Sequence, residues 1–171
     1  TAPTVYSISA TDNQSGVSIT DNISVTFSET MNTTTVTTNT SDTSCSGTLQ
    51  VSSDSFSTCV KMSSSPSVSN SYKTFSVSPF DNLSYSTTYK IRVTTGVKDS
   101  AGNTLSSQYE TSSGFTILFT HQFGTSSHDS GSGVTVDTSG NIYVTGETNL
   151  VSPDIILVKY NSSGVKLWTK P

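Results

Sequence analysis

The two histidines are the residues best suited to proton transfer or metal binding, and they lie close together in the chain. His121 precedes His128 by a short polar stretch, and Asp129 directly follows the second histidine. A serine nucleophile paired with them would be expected on a Gly-x-Ser-x-Gly turn, which the sequence lacks. Their spacing also does not match a zinc site. We therefore interpret both histidines as loop or strand-surface residues and predict that the chain is not an enzyme.

Two similar turns carry the oxygen ligands that calcium prefers. The stretch KDSAGN contains Asp99 and Asn103, and the stretch VDTSGN contains Asp137 and Asn141. Neither matches an EF-hand loop, and neither has a second carboxylate nearby. Asx-type turns with glycine at positive φ account for both stretches without a metal. No cofactor is predicted, and these four residues remain weak calcium candidates.

The only two cysteines, Cys45 and Cys59, lie within one Ser/Thr-rich stretch. Their spacing is too wide for a Cys-x-x-Cys redox or zinc motif, and no histidine lies near them. A disulfide is the favoured interpretation, and a pair of buried thiols is the alternative. A bridge would place the protein in an oxidising compartment, either secreted or at the cell surface.

The composition favours an all-β protein with small hydrophobic cores. Hydrophobic residues make up 31% of the chain and charged residues 12%, whereas roughly two residues in five are Ser or Thr. Threonine suits exposed strand faces, and the aromatic content argues against disorder. With a net charge of −4 and no Lys/Arg cluster, the chain is predicted not to bind nucleic acid. No apolar run reaches the roughly 20 residues needed to cross a bilayer, so no membrane insertion is predicted.

Short alternating segments recur along the chain, separated by turn residues, and no segment has a sustained helical period. Seven such segments in the first two thirds indicate an Ig-like β-sandwich, and an all-β barrel is the alternative. Their apolar residues are Val5 with Ile8, Ile23 to Phe27, Leu49 with Val51, Val60 with Met62, Phe75 with Val77, Tyr89 to Val93, and Phe115 to Phe119.

Five residues in this region are predicted to hold the sandwich together. Phe27 ends an alternating strand with its side chain directed into the core, and Met31 is expected to fill the gap where that strand leaves the sheet. Leu83, Thr87 and Tyr89 have the spacing of a tyrosine corner, in which the tyrosine hydroxyl bonds to backbone upstream.

The stretches NISVTFSETMNTTTV, YSTTYKIRVTTGVKDSAGN and GFTI together resemble the bacterial Ig-like domain family of S-layer and other surface proteins. The family has a Val-Thr-Phe-Ser-Glu-x-Met strand, a Thr-Thr-Tyr strand, a Lys-Asp-x-Ala-Gly-Asn turn and a closing Phe-Thr strand. The resemblance covers residues 1–117 and implies a β-sandwich there. Residues 39–71 depart from it and are interpreted as an insertion closed by the disulfide.

Residues 118–171 resemble a bacterial β-propeller repeat. The matching stretches are FGT, the segment GVTVDTSGNIYVTG, and KYNSSGVKLW with Trp168 near its end. Phe119-Thr120 and Trp168-Thr169 are separated by about 50 residues, a period typical of propeller blades. The resemblance implies a four-stranded antiparallel blade after the sandwich, within a chain that we expect to be cut from a longer array of repeats.

The third predicted blade strand, DIILVKY, is apolar on both faces and needs cover on both sides. One blade cannot supply that cover, because repeats bury their faces against neighbours. A single blade is expected to pack on the Ig-like domain, pair with another copy, or stay partly mobile. Neighbouring repeats of the same protein are the predicted partners.

These features predict a non-enzymatic structural or display module of a bacterial surface or secreted protein. One alternative is an adhesion module that binds host extracellular matrix or glycans, although the aromatic residues are too scattered in the sequence to indicate a sugar-binding platform. The other alternative is an accessory domain of a secreted hydrolase. The sequence leaves the ligand, the organism and the number of repeats open.

Overall fold

The computed structural model describes residues 1–117, 128–148, 154–161 and 164–171. The chain divides into two compact units, Thr1–Leu118 and Phe119–Pro171. Each unit is built from antiparallel sheet, with one parallel strand pair in the first. The predicted all-β fold class, a sandwich followed by a four-stranded blade, is confirmed.

The first sheet of unit 1 has four strands. Strands β1 (Val5–Ile8), β3 (Ile23–Phe27), β6 (Thr74–Val77) and β5 (Ser67–Ser69) lie side by side in that order, and every pair is antiparallel. In β3 the side chains alternate between fully and partly buried, because one face of the strand meets the core.

The second sheet is organised around one central strand. Strand β7 (Thr88–Val93) pairs with β4 (Leu49–Ser52) on one edge. Its other edge pairs with β9 (Phe115–Ile117) and then with the short β8 (Tyr109–Glu110). Strand β2 (Ser15–Val17) pairs with β9 in parallel and forms the outer edge of the sheet on that side.

The core of unit 1 lies between these sheets and is apolar. Phe27 and Phe75 meet edge to face with ring centroids 5.8 Å apart, an arrangement that aromatic quadrupoles favour. Tyr89 and Phe115 stack at 5.9 Å. The cluster extends to the loops, where Met31, Met62 and Val97 are buried.

The end of β3 leads into a short 3-10 helix, Thr33–Thr35, capped by the Asn32 side chain, which accepts a hydrogen bond from the Thr34 amide. Met31 lies just before it, is 2% exposed and bridges to Asp99. The methionine thus fills the core at the point where the chain leaves the sheet.

Some strand predictions for unit 1 differ from the structure. Residues 60–62 are predicted to form a strand but do not: Met62 has an isolated bridge to Pro79, and the Val60 amide donates to the Val51 carbonyl. Strands β2, β5 and β8 are not predicted from the sequence. Each has at most three residues, and none of the three residues of β5 is buried. Such short segments carry too few apolar residues to show alternation.

Unit 2 contains one antiparallel sheet in simple up-and-down order. Its strands are β10 (Asp129–Val136), β11 (Ile142–Thr148), β12 (Asp154–Tyr160) and β13 (Lys166–Lys170). The first turn is the stretch Asp137–Asn141, in which Gly140 has φ +79°. This is the blade-like sheet that the sequence predicts.

Gly114 is a position where the fold requires glycine. Its φ is +79°, and an added Cβ would lie 2.3 Å from the Tyr89 carbonyl oxygen. Gly16 has nearly the same φ, +78°, with open space around the Cβ position. Replacing Gly16 therefore measures the free-energy cost of a side chain on left-handed backbone alone, whereas replacing Gly114 adds the cost of a steric clash.

We predict that Gly114→Ala lowers the free energy of unfolding by about 2–4 kcal/mol, whereas Gly16→Ala lowers it by about 1 kcal/mol. Urea unfolding followed by circular dichroism measures both variants. Equal losses in the two would show that β7 and β9 do not approach as closely as the structure has them.

Candidate functional site

A disulfide joins Cys45 and Cys59, with Cα atoms 4.9 Å apart, and confirms the predicted bridge. The loop that it closes contains strand β4, so the bridge ties together the segments on either side of that strand. Closing a loop of this length stabilises a fold by about 3 kcal/mol in the chain-entropy model.

We call residues 37–47 and 53–60, which enclose β4, the disulfide cover. All four β4 side chains are buried. Leu49 and Val51 lie in the sandwich core, so the alternate residues Gln50 and Ser52 face the other way. The Gln50 amide donates to the carbonyls of Cys45 at 2.8 Å and Gly47 at 3.0 Å. The disulfide cover thus forms a second layer on the outer face of the sheet.

The disulfide cover also occupies the free edge of β4. The Leu49 amide donates to the Thr37 carbonyl at 2.8 Å, and the Val60 amide donates to the Val51 carbonyl at 2.8 Å. An open strand edge invites pairing with other chains. The cover therefore blocks this edge with hydrogen bonds from both sides of the bridge.

Asp54 stabilises the turn that follows β4. Its carboxylate accepts hydrogen bonds from the Thr58 hydroxyl at 2.6 Å, the Thr58 amide at 2.9 Å and the Ser52 hydroxyl at 2.8 Å. These bonds, led by that from the Thr58 hydroxyl, lower the pKa of Asp54 to about 2. The same Ser52 hydroxyl accepts from the Phe56 amide at 2.9 Å.

Arg92 joins the disulfide cover to the sheet. Its guanidinium carbon lies 3.6 Å from the centre of the Phe56 ring, and its Nη2 lies 3.0 Å from Glu110 Oε2. Phe56 is thereby 9% exposed despite its place in a loop. A cation over an aromatic face contributes about 0.5–1 kcal/mol where solvent is near.

The residues predicted to form a tyrosine corner lie together at the start of β7. The Tyr89 hydroxyl accepts a hydrogen bond from the Ser84 amide at 3.0 Å, and Leu83 is buried beside it. The Thr87 hydroxyl donates to the Tyr85 carbonyl at 3.0 Å. This arrangement fixes the loop between β6 and β7.

The two calcium-candidate turns have the same internal hydrogen bonds. Asp99 Oδ1 accepts from the amides of Ala101 at 2.9 Å and Asn103 at 2.7 Å, and Oδ2 accepts from Asn103 Nδ2 at 2.7 Å. The hydrogen bond from Asn103 is the main reason that the pKa of Asp99 is lowered, against the opposing effect of burial. Both carboxylate oxygens are thus engaged by the turn itself.

Asp137 in unit 2 repeats this pattern. Its Oδ1 accepts from the amides of Ser139 and Asn141, each at 2.9 Å, and its Oδ2 from Asn141 Nδ2 at 2.8 Å. The pKa of Asp137 is lowered, mainly by the Asn141 side chain. Among the residues that the structure describes, no three His, Cys, Asp or Glu side chains group as a metal site.

The structure does not bring the other candidate residues into one site. His128 is exposed and directly precedes β10, while His121 lies outside the described residues. Trp168 in β13 meets Tyr143 edge to face at 6.2 Å, and the Tyr143 hydroxyl donates to Asp137 Oδ2 at 3.1 Å. Trp168 therefore packs on the blade face that carries the Asp137 turn.

Sequence reasoning missed Asp12, which joins two distant loops. Its Oδ1 accepts from the amides of Ser113 at 2.8 Å and Gly114 at 2.6 Å, and its Oδ2 accepts from the Ser112 hydroxyl. No local pattern could have identified this contact, because its partners lie about a hundred residues away. Asp54 was missed as well, although aspartate is among the residues that favour turns.

The chain matches two known protein families. Residues 1–125 match the bacterial Ig-like domain family, and residues 118–149 match the beta-propeller repeat family. No curated protein matches the chain.

Three solved structures of an S-layer protein resemble the chain weakly. The crystal structure of rSbsC(31-844) is 15% identical with a TM-score of 0.46, and covers 99% of this chain and 25% of that one. Surface layer protein SbsC, domains 1-6, is 16% identical with a TM-score of 0.47 over the same shares. For the N-terminal part of SbsC the identity is 15%, the TM-score 0.47 and the shares 99% and 43%. The chain thus spans less than half the length of each.

We predict that stability falls in acid between about pH 4 and pH 2. The pKa of Asp54 is about 2 in the folded chain and near 3.8 unperturbed. Its stabilising effect is therefore complete above the unfolded value and disappears as the pH falls through the folded one. Melting temperatures measured from pH 6 to pH 2 test this, with Asp54→Asn expected to lose part of the dependence. A melting temperature that stays constant to pH 2 would contradict it.

Calcium is expected to leave the melting temperature unchanged at millimolar concentration. The carboxylates of Asp99 and Asp137 already accept hydrogen bonds on both oxygens, so binding would disrupt two turns. Differential scanning fluorimetry with calcium or EDTA gives the measurement. A saturable rise that Asp137→Asn or Asp99→Asn removes would establish a site instead.

Proposed function

The chain belongs to the bacterial Ig-like domain family, and on that basis we propose that it is a non-enzymatic structural spacer of a bacterial surface or secreted protein. In this role unit 1 supplies a stable sandwich and unit 2 supplies a repeat that joins neighbouring repeats of the same protein.

The observation that carries this proposal is that aspartate carboxylates are hydrogen-bonded within the fold. Several of the groups best suited to acid–base or metal chemistry accept hydrogen bonds from amides and hydroxyls of nearby loops, and their pKa values are lowered in consequence: Asp12, Asp42, Asp54, Asp99 and Asp137. A catalytic carboxylate usually has the opposite shift or an open approach for substrate. Four of these aspartates stabilise turns, and Asp12 joins two loops that are distant in the sequence.

An extracellular location is supported by the disulfide. Such bridges persist in oxidising compartments and are rare where glutathione keeps thiols reduced. The Cys45–Cys59 bridge also holds the disulfide cover on β4, so the fold itself benefits from oxidation. In the part of the chain that the structure describes, no helix is long and apolar enough to span a membrane.

We predict that both cysteines are oxidised in the protein as cells make it. Cells quenched in acid and treated with iodoacetamide before lysis should give a peptide pair joined through Cys45 and Cys59 in mass spectrometry. The same treatment after reduction is the control and should alkylate both. Alkylation of both cysteines without reduction would contradict an extracellular spacer.

One face of the unit 2 sheet is apolar, and its side chains on β10 are exposed to solvent. The register aligns Val134 with Val144 and Val158, and aligns Val136 with Ile142. Within this face Val158 is fully buried, whereas Val134 is 70% and Val136 is 59% exposed. Burial of a valine side chain stabilises by about 1.5–3 kcal/mol, so covering β10 with a neighbouring repeat is favourable.

The 171-residue chain is therefore expected to associate as its concentration rises, as measured by multi-angle light scattering. The double variant Val134→Lys, Val136→Lys should remain monomeric at every concentration. Thr135→Lys, at an exposed position between them on the opposite face, is the matched control and should associate like the parent chain. A monomeric parent chain throughout would contradict assembly through this face.

Adhesion to a host matrix protein or glycan is the second candidate function. One observation favours it, a groove beside the exposed Tyr6, which is treated below. For an accessory role beside a secreted hydrolase, no feature of the described residues offers specific support.

A further inference from the structure

An irregularity in β1 exposes the ring of Tyr6. The pairing of β1 with β3 shifts between Val5 and Ser7, so Tyr6 is the extra residue of a β-bulge. Its side chain is 78% exposed, the highest value among the large hydrophobic side chains that the structure describes. Bulges often redirect a side chain toward a binding site. Here the bulge turns a large aromatic surface into solvent at the edge of the sandwich.

Tyr6 borders a groove on the outer side of the first sheet. The groove has a volume of about 400 Å³, within the range of about 300–1,000 Å³ that is common for small-ligand sites. Its walls combine the end of β3 with the turn between β5 and β6. The lining residues are Tyr6, Thr26, Phe27, Ser28, Asn70, Ser71 and Lys73.

The turn that forms one wall is held in an unusual conformation. Asn70, Ser71 and Tyr72 have φ values of 51°, 52° and 62°, although none of them is glycine. The Lys73 carbonyl accepts from the Phe27 amide at 2.9 Å, and the Tyr72 carbonyl accepts from the Met31 amide at 3.0 Å. Left-handed non-glycine residues persist only where surrounding contacts fix them. The turn therefore fixes the backbone of Asn70 and Lys73 relative to β3.

The polar groups of the groove are neutral or positively charged. Thr26 Oγ1 shares a hydrogen bond with Thr74 Oγ1 at 2.9 Å, and Asn70 Nδ2 donates to the same Thr74 oxygen at 3.4 Å. Lys73 is the one charged residue among those that line the groove. The neighbouring acid, Glu29, lies outside it and accepts from the Thr1 hydroxyl at 3.3 Å.

We propose that this groove binds a saccharide, with a sugar ring against Tyr6 and sugar hydroxyls on Asn70 and the Ser and Thr hydroxyls. An aromatic face supplies apolar contact for the C–H side of a sugar, and hydroxyl and amide groups match its polar edge. Lys73, the one charged residue among those that line the groove, favours a sugar that bears a carboxylate. This goes beyond the spacer role, since a spacer needs no ligand.

The test is a glycan array of matched acidic and neutral oligosaccharides, probed with the full 171-residue chain, followed by calorimetry on the strongest ligand. We expect saturable binding that Tyr6→Ala weakens at least about tenfold. Phe80→Ala, at an exposed aromatic residue that neither lines the groove nor lies in its turn, is the control and should bind like the parent chain. Lys73→Gln should weaken acidic ligands and leave neutral ones unchanged.

Tyr6 and Phe80 are both largely exposed, so neither variant should change the melting temperature, and a loss of binding will report on the groove. The proposal is overturned if no glycan on the array binds. It is equally overturned if Tyr6→Ala binds as well as the parent chain, or if Tyr6→Ala and Phe80→Ala lose binding alike. Saturable binding of a matrix protein without attached sugar, sensitive to Tyr6→Ala, would assign the groove to a peptide.

Discussion

The antiparallel pairing of β7 with β4 on one edge, and with β9 and β8 on the other, is the constraint on which the rest of unit 1 depends. It places Tyr89, Ile91 and Val93 in the core, and among the strands described for residues 1–117 β7 alone pairs with three others. The Thr111 hydroxyl accepts from the Ile91 amide at 3.0 Å where the chain passes from β8 to β9. Strand β7 is therefore the central strand on which the second sheet of the sandwich is assembled.

Low hydrophobic content explains why this strand needs so much support from polar groups. With few apolar residues available, the fold fixes its loops with carboxylates and a disulfide instead. The same Asp-x-x-Gly-Asn turn occurs once in each unit, at Asp99 and at Asp137, with matching hydrogen bonds. Asp12 connects the loop before β2 to the loop before β9. Hydroxyl-rich surfaces then face the solvent without weakening the core.

The sequence was sufficient for those features whose cause is local. Alternation of apolar residues identified β3, β6 and β7, and the number and spacing of the only two cysteines favoured a disulfide over two buried thiols. The extra layer over β4 could not be foreseen in detail, because Gln50 and Ser52 look like solvent-facing positions in a normal strand. The groove also escaped prediction, since Tyr6 and Asn70 are brought together only by the β1–β3–β6–β5 sheet.

Native-state hydrogen exchange, with the disulfide intact and reduced, tests the central claim most directly. If β7 organises a sandwich protected by the disulfide cover, the Ile91 amide should exchange only through global unfolding in the oxidised chain. Reduction should speed exchange of the Leu49 and Val60 amides, which bond across the edge of β4, before it affects Ile91. Exchange at Ile91 as fast as at Val60 in the oxidised chain would contradict the account.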